Sequence, residues 1–228
     1  MIPADPPRRI EVDPERIVLW VNGFAGRHGE LAWASGERSL ALSAADGATA
    51  VLEPFAHGSS KESDGARTSV GTDSLASWAF PPRRLALILV RRGGYAVGVG
   101  DGSELIAHKV GTRYVQSRTA AGGWSQQRFA RRRKNQADGL VGSVIEHTLR
   151  VVLSLPSDAL VVGGDKGLVR DVLADARLSS LVGLPRRELF DLPDPKLVVL
   201  QRALRRGRAV VITLSEPGGG ARASPPRV

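Results

Sequence analysis

Residues 83–93, RRLALILVRRG, place six consecutive apolar residues between two pairs of arginines. Alternation would mark a strand with one wet face, whereas an unbroken apolar run is the pattern of a central strand. Six residues are also far too few to span a bilayer. Two more strand patterns follow at once. GYAVGVGDGSELIAHKV turns at Asp101-Gly102, a hairpin signal, and TRYVQSR alternates.

Beyond that, Phe129, Val141, Val144, Ile145, Thr148 and Val152 keep a helical spacing as far as Pro156. DALVVGGD then reads as a buried strand, KGLVRDVLADARLSSLV as a helix and RRELFDL as a strand. DPKLVVLQRALRR reads as a helix capped by Asp194 with Pro195 at its start, and RAVVITL as a last strand. Three strands, a long helix and then alternating strands and helices is the order of an RNase H-like fold. The expected class is α/β, a mixed sheet with flanking helices over residues 83–215. Fold class by itself does not give function.

Residues 1–82 predict a small α+β domain. Asp13-Pro14 opens a helix with Ile17, Trp20, Val21, Phe24 and His28 at helical spacing. ELAWA, SLALSA and ATAVLEPF are strand-like, the last two joined at Asp46-Gly47. The polar, glycine-rich stretch 57–77 is expected to be a mobile loop, and the tail 216–228 to be disordered.

Composition narrows the chemistry. Cysteine is absent, which excludes disulfides, thiolate metal sites and a cysteine nucleophile. The opening MIPADPPRRIEVDPERI lacks the apolar core of a signal peptide, so a cytoplasmic protein is expected. A two-metal nuclease on this fold needs carboxylates on the first strand, and LALILV carries none. Asp158 and Asp165 only flank the fourth strand. His28, His57, His108 and His147 show no ligand spacing, so no metal site is expected. GVGDGSE reads as a turn, and VVGGDKGLVRDV as a strand-to-helix turn that could hold an anion. No serine sits in a G-x-S-x-G elbow.

The net charge of +9 favours a polyanionic partner. From Leu105 to Ala137 the chain carries Lys109, Arg113, Arg118, Arg128, Arg131, Arg132, Arg133 and Lys134 and no acid. Adjacent like charges repel, so this concentration calls for an external anion, and RNA fits. Phosphate binding does not account for AAGGWSQQ, residues 120–127. Gly122 and Gly123 allow positive φ and close backbone approach, and Gln126 and Gln127 bring uncharged amides beside the cations.

AAGGWSQQRFARRRKNQAD, placed after a three-strand meander and before a long helix, resembles the Vms-like release factors in their actinobacterial-type branch. Those are relatives of the catalytic middle domain of archaeal and eukaryotic class-1 release factors, which bears a Gly-Gly-Gln loop on an RNase H-like scaffold. Here Trp124 and Ser125 separate Gly123 from Gln126, the G-x-x-Q form. The resemblance covers about Arg83 to Leu214.

It implies codon-independent hydrolysis of peptidyl-tRNA on stalled large ribosomal subunits. Gln126, or its neighbour Gln127, would position water, and Gly122 and Gly123 would shape the loop. Arg118, Arg128, Arg131, Arg132, Arg133 and Lys134 would grip rRNA. A glutamine amide does not titrate near neutral pH, so it orients water rather than acting as a base. The implied partners are the large subunit's rRNA and peptidyl-tRNA, with no cofactor, no membrane and no DNA. The rival is a non-enzymatic RNA- or ribosome-binding protein using the same basic helix.

Overall fold

A computed structural model describes residues 6–36, 38–55, 72–112 and 125–217, with the backbone alone at 72, 73 and 125–134. The chain divides into two compact units.

The unit that carries the long apolar run is a five-stranded sheet in the order β7-β6-β5-β8-β9. β5 (Arg84–Arg91), β6 (Gly94–Asp101) and β7 (Glu104–Thr112) form an antiparallel meander, and β8 (Ala159–Gly164) and β9 (Arg186–Leu189) continue it in parallel. That order, with the first strand central, is the RNase H-like arrangement. β5 is buried from Leu85 through Val90, as an unbroken apolar strand requires. One face of the sheet offers Ile88, Val97 and Val162 to α3 (Ser125–His147) and α4 (Lys166–Leu173). α6 (Leu197–Arg208) covers the other face over Gly98 and Gly100. A Cβ at Gly98 would come within 3.2 Å of Leu200 Cδ2, and one at Gly100 would overlap the Leu204 side chain. These glycines, part of what reads as a turn, lie in β6 so that a helix can approach it. Only Gly102 (φ +57°) serves the turn itself.

The expected helix over 166–182 breaks at Asp175. That carboxylate accepts from Arg177 N at 2.9 Å and starts a separate 3-10 turn, Ala176–Leu178, followed by α5 (Ser179–Val182). The helix expected to start at Pro195 starts instead at Leu197, with Leu200 N bonded to Lys196 O at 2.9 Å. Asp194 turns to Arg91 at 3.6 Å instead of capping it.

The other unit is an antiparallel sheet in the order β1-β10-β4-β3-β2. It comprises β1 (Arg8–Val12), β2 (Leu31–Ser35), β3 (Leu40–Ala44), β4 (Thr49–Glu53) and β10 (Val210–Ser215). α1 (Ile17–His28) sets Ile17, Val21 and Phe24 against Leu40, Leu42, Leu52 and Ile212. Phe24 carries His28 on its ring, and His28 Nδ1 meets Asp46 at 2.8 Å.

Two expectations change here. RAVVITL, expected to close the RNase H-like unit, pairs between β1 and β4 as a central strand of this sheet. It buries Val210, Ile212 and Leu214 there. Arg208, 6% exposed, pairs with Glu15 at the chain's return to this sheet. The stretch expected to be mobile over 57–77 is helical from Thr72, as α2 (Thr72–Ala79), because Leu75 and Ala79 share a face and bury against the α1 core. Residues 57–71, TRYVQSR beyond Thr112 and the tail from 218 onward lie outside the described residues.

Candidate functional site

Arg118, Gly122 and Gly123 lie outside the described residues, in the twelve-residue connection between the end of β7 and the start of α3. Gln126, Gln127, Arg128, Arg131, Arg132, Arg133 and Lys134 all fall within α3. Both glutamines therefore stand in the first turn of a helix rather than in the connection that precedes it. The first backbone N–H groups of a helix have no internal acceptor and carry a partial positive charge. No acid sits in that first turn to neutralise it. The amides and the start of the cationic run thus occupy one electropositive helix end.

What holds that end is the other half of α3. Leu140, Val144 and Ile145 are buried on the sheet, with Ala137 and Val141 packed beside them. The helix continues as a π-helical turn, Thr148–Val152, where Leu153 N reaches Thr148 O at 3.1 Å. The buried Thr148 hydroxyl donates to Val144 O at 2.8 Å. A π turn accommodates one extra residue in the helix.

The strand that leads into the connection is fixed by a device that no sequence period reveals. Gly111, near the end of β7, is the cross-strand partner of Tyr95 on β6. A Cβ there would overlap the tyrosine ring. The ring instead lies over the glycine and stacks on His147 at the end of α3, with centroids 5.5 Å apart and 21° between planes. One aromatic side chain thereby joins the exit from β7 to α3.

Burial pushes the His147 pKa below its usual value; Arg150 and Lys109 push the same way, and Glu146 opposes them. The folded chain therefore binds the imidazole proton less tightly than the unfolded chain. Its contribution is complete above about pH 6.5 and is lost as pH falls below that value. The urea midpoint should accordingly drop between about pH 7.5 and about pH 5.5 more in the native chain than in His147→Gln. Equal drops would show that His147 titrates no differently on folding.

The acids flanking β8 are used structurally. Asp158 Oδ2 accepts from Arg84 N at 2.9 Å. Asp165 Oδ1 caps α4 by accepting from Gly167 N at 2.9 Å and Leu168 N at 3.2 Å. Six strand residues separate them, a span of about 20 Å, too far for one shared ion. Among the described residues no three His, Asp or Glu side chains converge as metal ligands. His28 is paired with Asp46, His108 is exposed on β7, and His57 lies outside the described residues.

The glycine pair before α4 serves backbone geometry, and the chain's own carboxylate occupies the helix end that could have taken an anion. Gly164 has φ +98°, and a Cβ there would overlap the Val90 carbonyl. Gly164→Ala should cost about 3 kcal/mol, a fall of about 10 °C in Tm by thermal denaturation. An unchanged Tm would mean that the backbone can relax around the new Cβ.

The family model described as "Actinobacteria/chloroflexi VLRF1 release factor" matches residues 83–213, more than half of the chain. The chain belongs to this family. The VLRF1 match takes in the whole RNase H-like sheet, the connection with its glycines, the amides and the cationic run. It also takes in most of β10, which pairs in the other sheet. Membership gives this VLRF1 protein a release-factor-like role in translation, at the ribosome. A solved structure described as "Vms1 mitochondrial localization core" is 14% identical with a TM-score of 0.40, over 77% of this chain and 76% of that one. No curated protein matches the sequence. Among the described residues, no helix is long and apolar enough to cross a membrane.

Proposed function

We propose that this VLRF1 protein is a codon-independent peptidyl-tRNA hydrolase that releases nascent chains from stalled large ribosomal subunits. The observation that carries this reading is the position of Gly122, Gly123 and Gln126 within the family match, where an edge strand passes into an acid-free helix start. In this reading the connection enters the peptidyl transferase centre. Gln126 orients a water through its side-chain carbonyl and donates from its amide NH₂ to the ester. The free N–H groups of the first turn of α3 face the oxygen on which charge develops as water adds to the carbonyl. No general base is needed from the protein, because the ester is already activated and the ribosome supplies most of the surroundings.

Arg118, Arg128, Arg131, Arg132, Arg133 and Lys134 hold rRNA phosphates, and peptidyl-tRNA is the substrate. The clamp of Tyr95 on Gly111 and His147 supports the reading, since a helix end that positions water needs rigid support. Single-turnover release from stalled subunit–peptidyl-tRNA complexes tests it. A chain that binds subunits and releases nothing would leave only a non-enzymatic RNA-binding role.

A further inference from the structure

We propose that the open edge of β9, with the groove between it and α4, docks an extended acidic segment of a partner protein as an added strand. This surface is separate from the glutamine-bearing helix end, and the proposal does not depend on the hydrolase reading.

β9 is the last strand of its sheet, with no strand beside it among the described residues. Its register with β8, anchored by Leu160 N bonded to Pro185 O at 2.9 Å, turns Arg187 and Leu189 inward. In a parallel ladder alternate residues bond to one neighbour, so Arg186 and Glu188 present their backbone N–H and C=O groups outward. Arg186, Glu188 and Phe190, at every second position, face α4 across a cavity of about 410 Å³. Its floor is apolar, made by Val169, Leu173 and Phe190, and Lys166, Arg170 and Arg186 stand round it. Two of these cations have partial answers, Arg170 in Asp171 at 2.9 Å and Arg186 in Glu188 at 3.5 Å. Such exposed pairs are weak and exchange readily for an incoming carboxylate.

Strand addition supplies affinity through the backbone and selectivity through alternate side chains. The groove asks for an aliphatic side chain over Val169, Leu173 and Phe190, with carboxylates two residues to either side. A nucleic acid strand fits less well. Lys166 Nζ lies over the Phe190 ring, 4.9 Å from its centroid, so the one aromatic face in the groove is not free to stack a base. The chain's own residues 218–228 carry two arginines, two prolines and no acid, the wrong charge for this groove.

The test uses the full chain and a labelled peptide, Thr-Glu-Thr-Leu-Thr-Glu-Thr, followed by fluorescence anisotropy. Saturable binding is expected, weakened about tenfold or more by K166E with R186E. If the strand adds parallel to β9, binding should be abolished by proline at the threonine before the leucine, which removes a ladder donor, and in either direction by lysine in place of both glutamates. Thermal melts check that the double variant is folded, and R186A repeats the test with a smaller change. Three results would overturn the proposal: no saturable binding up to millimolar peptide, equal affinity for native and variant chains, or a double variant that loses affinity for a short oligouridine and not for the peptide.

Discussion

Gln126→Ala is expected to slow release of the nascent chain by about two to three orders of magnitude, roughly 2.7–4 kcal/mol of transition-state stabilisation. That is the usual effect of removing one preorganised donor or water-orienting group from a site that excludes bulk water. Folding and ribosome binding should be unchanged. Among the described side chains of α3, packing against the core begins at the half-buried Ala137, about three turns beyond Gln126. Helical backbone at this point also gives the control its logic. Successive positions of a helix are turned by about 100°, so positions 126 and 127 sit at different angles about its axis. Gln127→Ala should therefore release at close to the native rate. Gly123→Val restricts the backbone and adds bulk, so it should impair docking and chemistry together. Release is measured in a single turnover on stalled subunits, with binding followed separately by co-sedimentation. A native rate for Gln126→Ala with a dead Gln127→Ala would move the site by one residue. Full activity in both single variants and in the double variant would sink the mechanism.

Reversing Arg131, Arg132 and Arg133 to glutamate should weaken association with large subunits by about 3 kcal/mol or more, on the order of a hundredfold. Each cation that neutralises a phosphate releases counterions, worth about 0.7 in the log–log salt slope on a single strand. Losing three contacts should flatten that slope by roughly 2, which distinguishes lost phosphate contacts from a misfolded helix. The substitutions lie before Ala137, where the described packing of α3 begins, and a thermal melt should show a stability near native. Co-sedimentation across a salt series is the measurement. Unchanged affinity and slope would remove the cationic run from the interface.

Several features of this protein are set by short-range chemistry and are legible in the amino-acid sequence. The apolar run of β5 is buried on both faces because six aliphatic residues in a row have no other stable place. The turn at Asp101-Gly102 needs positive φ, and glycine supplies it. The cationic run with its glycines and amides was visible because its composition departs so far from an ordinary solvated helix face. Asp158 and Asp165 could be located from the sequence, but not their bonds to the Arg84 amide and to the start of α4.

Tertiary structure alone decided which strands distant in sequence are neighbours. β1, reading RRIEV, is too short and too polar to announce itself, and it is ordered by pairing with β10, about two hundred residues away. Leu75 and Ala79 draw the end of a polar stretch into α2 only because the α1 core is there to receive them. The glycines of β6 acquire their meaning from Leu200 and Leu204 on a helix a hundred residues later. Gly111 acquires its meaning from a tyrosine ring across the strand pair. β10 is the clearest case. Its alternating valines, isoleucine and leucine would suit either sheet, and hydrophobic period reports only that a face is buried. The choice of sheet is made by backbone hydrogen bonding, because β10 has a ladder partner on both sides only between β1 and β4.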